Sequence, residues 1–151
     1  MSRMLPVRLL MRRATCAAHR GLFVVGRPFS TYYSKSHEWF KVDGKVGTLG
    51  ITNHAQEQLG EIVFVDLPDV GKSASKGSGL LSLESVKAVG EVYSPVDGKV
   101  IEQNGELSNN PKLVNEEPES NGWLAKIEFQ GEVSGMLTRD EYDQFVKEEA
   151  A

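Results

Sequence analysis

From Trp39 onward the chain runs in short apolar–polar alternations broken by turn residues. Trp39-Phe40-Lys41-Val42 and Lys45-Val46-Gly47-Thr48-Leu49 flank Asp43-Gly44, a dipeptide suited to a tight turn, and predict a β-hairpin. Glu61-Ile62-Val63-Phe64-Val65-Asp66-Leu67 is β-branched and aromatic and ends at Pro68, which predicts another strand. Leu80-Leu81-Ser82-Leu83-Glu84, Glu91-Val92-Tyr93-Ser94-Pro95 and Lys99-Val100-Ile101-Glu102 follow as extended segments. A second Asp-Gly pair, Asp97-Gly98, predicts a turn between the last two. Trp123-Leu124-Ala125-Lys126-Ile127-Glu128-Phe129 alternates as a strand with one buried face.

Two segments change period. Asn53 with Gln56 has capping-box spacing and predicts a short helix over His54 to Leu59, stopped by Gly60. Thr138 with Glu141 predicts a C-terminal helix with Asp140 and Glu141 in its first turn. Its residues Tyr142, Phe145 and Val146 share one face, so the helix packs by that face. Asn104 to Gly122 is polar, contains Pro111 and Pro118, and reads as loop. About seven strands with two or three short helices make a small, mainly antiparallel β fold.

Composition adds limits. With 151 residues, 40% of them hydrophobic, the chain suits one domain. It has one cysteine, so no internal disulfide, and no apolar stretch near the roughly 18 residues of a spanning helix. Charge is unevenly spread. Arg3, Arg8, Arg12, Arg13, Arg20 and Arg27 precede the first acid, Glu38. An Arg-rich, acid-free, Leu/Met/Ala/Val-rich start reads as a mitochondrial transit peptide over residues 1–29, with processing near Ser30 and a domain over 30–151. A basic arm that binds RNA or lipid is the alternative. Residues 30–151 carry a net charge of −10, which opposes nucleic-acid binding and favours a soluble monomer. Cys16 lies in the N-terminal segment, so that domain has no thiol of its own.

No catalytic constellation is visible. His37 and His54 are the only histidines after residue 29, no Ser occupies a G-x-S-x-G elbow, and Gly71-Lys72-Ser73 lacks the spacing of a phosphate loop. His54 is expected to be capped or partly buried, and no run has metal-ligand spacing. Lys87 stands out because it lies between two extended segments, at a predicted hairpin tip, where its amine is accessible to a modifying enzyme. Spacing alone favours a solvated turn lysine over a modified one.

The run Glu84-Ser85-Val86-Lys87-Ala88, followed by Tyr93-Ser94-Pro95 and Gly98, resembles the lipoyl-lysine segment of the glycine cleavage system H-protein family. Further likeness lies in Ser36-His37-Glu38-Trp39, Gly50-Ile51-Thr52, His54-Ala55-Gln56, Val65-Asp66-Leu67-Pro68, Asn110-Pro111, Leu113-Val114-Asn115 and Gly122-Trp123-Leu124. Together these cover about Ser34 to Glu149 in order.

The resemblance implies a barrel-sandwich hybrid, two antiparallel sheets forming a flattened barrel with the modified lysine at a hairpin tip. It implies lipoate joined to Lys87 by an amide, with no catalytic residues in the chain itself. In the family, glycine decarboxylase (the P protein) loads an aminomethyl group onto the lipoyl arm, aminomethyltransferase (T protein) unloads it, and dihydrolipoyl dehydrogenase (L protein) reoxidises the arm. The resemblance also assigns Glu84 and Gly98 to recognition by lipoylating enzymes, Gly98 as a turn residue with φ > 0, and it places Ser36, Glu38 and Glu91 in a cleft that shelters the loaded arm. Glu91 stands where some relatives have Asp, and Gln58 where some have His. Other readings are a lipoyl relay, a lipoyl domain of a 2-oxoacid dehydrogenase system, and an interaction module with unmodified Lys87. A biotin carrier, whose lysine is flanked by Met, fits Val86 and Ala88 poorly.

Overall fold

The computed structural model describes residues 30–150, so the transit-peptide assignment to residues 1–29 lies outside the described residues. Nine strands are present among them: β1 (Ser30–Tyr33), β2 (Glu38–Asp43), β3 (Val46–Ile51), β4 (Ile62–Asp66), β5 (Ser73–Ala74), β6 (Gly79–Ser85), β7 (Val89–Tyr93), β8 (Gly98–Gln103) and β9 (Ala125–Phe129). Four helices accompany them: α1 (Asn53–Leu59), α2 (Glu106–Asn109), α3 (Leu113–Glu116) and α4 (Arg139–Ala150). One sheet has the order β1-β2-β3-β9-β8-β5 and the other β4-β6-β7, all pairings antiparallel. The expected two-sheet, mainly β architecture is present. Neither sheet closes on itself into a complete barrel.

The core lies between the sheets. Phe40, Leu49, Ile62, Leu83, Val100, Leu124 and Ile127 are fully buried there. In β9, Ala125, Ile127 and Phe129 are buried and Glu128 is exposed, as the alternation predicts. Removing such a row from water is the main term holding the two sheets together. The β2–β3 hairpin closes through a two-residue loop, Gly44-Lys45, with Asp43 paired to Val46. Gly44 has φ +66°, so glycine takes the first loop position that a II′ turn gives it.

Outside the larger sheet, α4 covers the β1–β2 corner. Tyr142 stacks on Tyr33 at 4.9 Å between ring centroids, and Trp39, Trp123, Phe145 and Val146 complete this second cluster. The predicted capping box is formed, Thr138 N–H donating to Glu141 Oε2 (2.8 Å) and Glu141 N–H to Thr138 Oγ1 (3.3 Å). At α1 the cap falls one residue earlier than expected. Thr52 Oγ1 accepts from Ala55 N–H, while Asn53 uses its side chain on Gln56 and Glu57.

Three other expectations change. Asp97-Gly98 does not turn one hairpin strand into the next, because β7 and β8 belong to different sheets. Ser94-Pro95-Val96 carries the chain across instead, with Ser94 Oγ donating to Val96 O at 2.7 Å. The segment from Asn104 to Gly122 holds α2 and α3, which bury Leu107, Leu113 and Val114; four-residue helices are too short to show a period. Two strands, β1 and the two-residue β5, were not predicted at all.

Candidate functional site

Lys87 occupies the tip joining β6 to β7. The turn is fixed by one hydroxyl: Ser85 Oγ accepts from Lys87 N–H (3.2 Å) and Ala88 N–H (3.0 Å). Ser85 N–H also donates to Ala88 O (2.8 Å), and Val86 N–H donates to Glu61 O (3.1 Å), which ties the tip to the neighbouring strand. The Lys87 side chain itself is exposed, and among the described residues it forms no ion pair. Its backbone is therefore held while its amine is left to solvent.

Beneath the lysine stem lies Gly60. It has φ +86°, and a Cβ there would stand 3.2 Å from Lys87 Cε, so glycine serves both the backbone and the space. Asn115 fixes this point from the buried side. Its Oδ1 accepts from Ile62 N–H (2.8 Å), and its Nδ2 donates to Gly60 O (2.8 Å) and Gln56 Oε1 (2.9 Å). Around the tip, Val86 and Val89 are 68% and 69% exposed, with Val63 and Phe64 half exposed beside them. Glu84 stands in register between Phe64 and Val89 on this exposed surface.

A cavity of about 190 Å³ is lined by Leu59 and Gly90 together with Ser36, Glu38 and Glu91. Gly90 is three residues from Lys87, about 10 Å of strand. A Cβ at Gly90 would come within 2.9 Å of Leu59 Cδ2, so a side chain there would crowd the cavity. Ile51, Ala55, Leu83 and Val92 supply apolar walls, and Glu38 and Glu91 add acids to the lining.

Glu38 is the unusual group. It is only 3% exposed and has no cationic partner among the described residues. Its Oε2 accepts from Ser34 Oγ and from Ser36 Oγ (2.5 Å), and its Oε1 accepts from Tyr93 N–H (3.1 Å). A buried carboxylate is costly unless hydrogen-bonded, and three donors answer that cost here. Two oxygens offer about four acceptor positions, so roughly one remains for a further donor. Ser36 and Glu38 also line a second cavity of about 160 Å³, with Tyr93 and Lys76. Glu38 is thus a partition between two hollows.

Ser36, Glu38 and Glu91 are therefore brought together, and Glu84 lies on the lysine's own hairpin. Gly98 is elsewhere, at the start of β8 in the other sheet, paired with Ala74 and Phe129. The expectation that Gly98 needs φ > 0 is not met. Its requirement is close approach: a Cβ there would stand 2.3 Å from Glu128 O.

At the edge of the cavity, His37 has φ +70°, the only non-glycine residue with positive φ among those described. Its Nδ1 is 2.9 Å from Tyr142 Oη, and its Nε2 is 3.0 Å from Glu149 Oε2. Burial lowers the His37 pKa, against the opposing pull of Glu149. His54, partly buried as expected, faces it at 4.6 Å between ring centroids. Sequence reasoning found no such cluster because its members are 17 and 95 residues apart.

The two-sheet β fold, with a solvent-facing lysine on a fixed hairpin beside a largely apolar cavity lined by a buried acid, is that of a carrier domain. The sequence model of the family described as "Glycine cleavage H-protein" matches residues 31–149. The chain is 49% identical over 119 residues to a glycine cleavage system H protein of Thermotoga maritima, covering 78% of this chain and 96% of that one. It is 46% identical over 143 residues to glycine cleavage system H protein 2, mitochondrial, of Arabidopsis thaliana, covering 89% and 92%. A crystal structure of a glycine cleavage system H protein from Mycobacterium marinum superposes with a TM-score of 0.71 at 29% identity, covering 83% of this chain and all of that one. The chain belongs to the glycine cleavage H-protein family, lipoyl carriers whose lipoate is attached covalently to a lysine.

Proposed function

We propose that Lys87 is the lipoyl attachment point and that the chain is a non-catalytic carrier of the glycine cleavage system. It takes the aminomethyl group of glycine from glycine decarboxylase to aminomethyltransferase and returns for reoxidation to dihydrolipoyl dehydrogenase. The observation that carries this reading is the pairing of a fixed backbone with a free amine at Lys87, beside a cavity that Glu38 lines. Lipoate bound there supplies a dithiolane that is reduced as it accepts the one-carbon amine, chemistry the thiol-free residues 30–151 cannot provide.

The chain's own residues receive and shelter the load. Leu59, Leu83 and Val92 exclude water along the cavity wall, and an ammonium within the cavity meets the open acceptor position of Glu38, held by Ser34 and Ser36. Glu91, exposed with its carboxylate against Gly79, adds a negative charge to the lining of the same cavity. Glu84 is proposed to be read by lipoylating enzymes because it is exposed beside the tip; Gly98 serves that recognition indirectly, by seating β8 against β9. The exposed Val86, Val89 and Phe64 give a docking enzyme apolar area around the amine it must reach.

Residues 1–29 are proposed to be a mitochondrial transit peptide and 30–151 the carrier domain, working in the matrix as a monomer. The arginine-rich, acid-free start supports this, as does the mitochondrial relative in Arabidopsis thaliana. No helix among the described residues is long and apolar enough to cross a membrane. Intact mass and peptide mapping of the protein from its own cells test both parts. One lipoyl amide on Lys87 and an N-terminus near Ser30 are expected; an unmodified Lys87 throughout would return the chain to the interaction-module reading.

A further inference from the structure

We propose that His37, His54 and Glu149 form a zinc-binding site that clamps α4 to the rest of the fold, independently of lipoylation. Their candidate ligand atoms lie within 4.8 Å of one another. His37 Nε2 is 3.0 Å and His54 Nε2 is 3.9 Å from the same oxygen, Glu149 Oε2. Two imidazole nitrogens and one carboxylate oxygen are the donor set Zn²⁺ takes in an open tetrahedral site, with water in the fourth position. Closing the three atoms onto one ion asks Glu149, an exposed side chain in the last turn of α4, to swing and the His54 ring to turn from Gln58.

The histidines are supported as metal ligands need to be. His37 Nδ1 lies 2.9 Å from Tyr142 Oη, which lies 2.7 Å from Thr52 Oγ1; when the proton between His37 Nε2 and Glu149 gives way to metal, Nδ1–H can donate to the phenol and the phenol to Thr52. Thr52 also caps α1, the helix that carries His54. His54 Nε2 accepts from Gln58 Nε2 at 3.0 Å, so that nitrogen is unprotonated, and a metal takes its lone pair in place of the Gln58 hydrogen bond. The positive φ of His37 places its imidazole here through a backbone conformation few non-glycine residues adopt.

Binding exchanges protons for metal. Zn²⁺ takes the lone pairs of both Nε2 atoms and of the carboxylate, and any proton shared by His37 and Glu149 leaves to solvent. The ion then adds a link among three segments already joined by packing and by the His37–Tyr142, Thr52–Tyr142 and His37–Glu149 contacts: the turn between β1 and β2, α1, and the end of α4. The first two also wall the cavity beside Lys87, through His37, Ala55 and Leu59. Zinc at this point therefore stiffens the cavity without occupying the lysine.

The test uses the full chain carrying Cys16→Ser and His19→Ala, which removes the thiol and imidazole of the N-terminal segment as competing ligands. Metal-free protein is titrated with Zn²⁺ by calorimetry at micromolar concentration, with Co²⁺ as the spectroscopic probe. One equivalent of Zn²⁺, proton release, and the visible absorption of four-coordinate Co²⁺ are expected. His54→Ala and Glu149→Gln should each weaken Zn²⁺ binding at least tenfold while keeping the parent far-ultraviolet circular dichroism. Zinc should also slow hydrogen exchange in α4 of the parent and not of Glu149→Gln. Absence of saturable binding, or unchanged affinity in both variants, would overturn the site. Loss in His54→Ala alone would overturn it as well, since α4 would then supply no ligand.

Discussion

Lys87 and Glu38 are opposite solutions to placing a charge. At Lys87 the backbone is fixed by Ser85 and the side chain is left free; at Glu38 the side chain is fixed by Ser34, Ser36 and Tyr93 and removed from water. The first arrangement presents a group to other proteins. The second keeps a charge where it interacts far more strongly with a neighbour than an exposed one does, which is why Glu38 is proposed as the shelter of the load. One hairpin joins them: β7 begins beside Lys87 and ends at Tyr93, whose N–H reaches Glu38.

The comparison can be broken at either end. Lys87→Arg should fold like the parent yet lose lipoylation and all glycine decarboxylation with partner enzymes, because arginine keeps the charge and offers no acylable amine. Mass spectrometry and a ¹⁴CO₂-release assay check this, and an active folded variant would end the carrier reading. Glu38→Gln keeps the shape but gives up the negative charge, so the aminomethyl-loaded form should decay several-fold faster. Formaldehyde release measures that decay, and an unchanged rate would remove Glu38 from the shelter.

Asn115→Ala sharpens the tip side, since it orphans Ile62 N–H and Gly60 O beneath Lys87. A loss of about 1–3 kcal/mol is expected from urea denaturation, together with slower lipoylation of the folded fraction. The smallest effect concerns Tyr142, whose phenol is pushed above its ordinary value by burial. A group whose folded pKa is raised contributes stability below its unfolded value of about 10 and loses it as pH rises through the folded value. Alkaline absorbance titration should show one late-ionising tyrosine, and Tyr142→Phe should remove it.

How much of this the sequence disclosed depended on the range of each interaction. β9 was legible because one face repeats every second residue, β2 and β3 because Asp43-Gly44 stands between two extended runs, and β4 because its run is β-branched and aromatic and ends near Pro68. Lys87 was legible as a tip through its two flanking strands, whereas its proposed role as the carrier lysine rests on the Glu84 to Ala88 resemblance. The burial of Glu38 was not. Glu38, Trp39 and Phe40 are all buried because α4 covers one face of β2 while the core and cavities occupy the other. A one-sided alternation rule fails where a sheet is covered on both faces. Gly98 was misread for a related reason: Asp-Gly predicts a local turn, whereas the constraint comes from Glu128, thirty residues away.

Strand order also sets the time course of assembly. β9 lies between β3 and β8, so the larger sheet stays divided until the chain through Phe129 is available to insert. β6 and β7 pair across a three-residue connection and can form at once. Local hairpins close in about 1–10 μs, whereas domains dominated by distant strand pairing fold in about milliseconds to seconds. The hairpin bearing Lys87 can thus exist before the interior that its cargo would enter, so a modifying enzyme that reads only the hairpin could meet its substrate earlier than one that reads the finished surface.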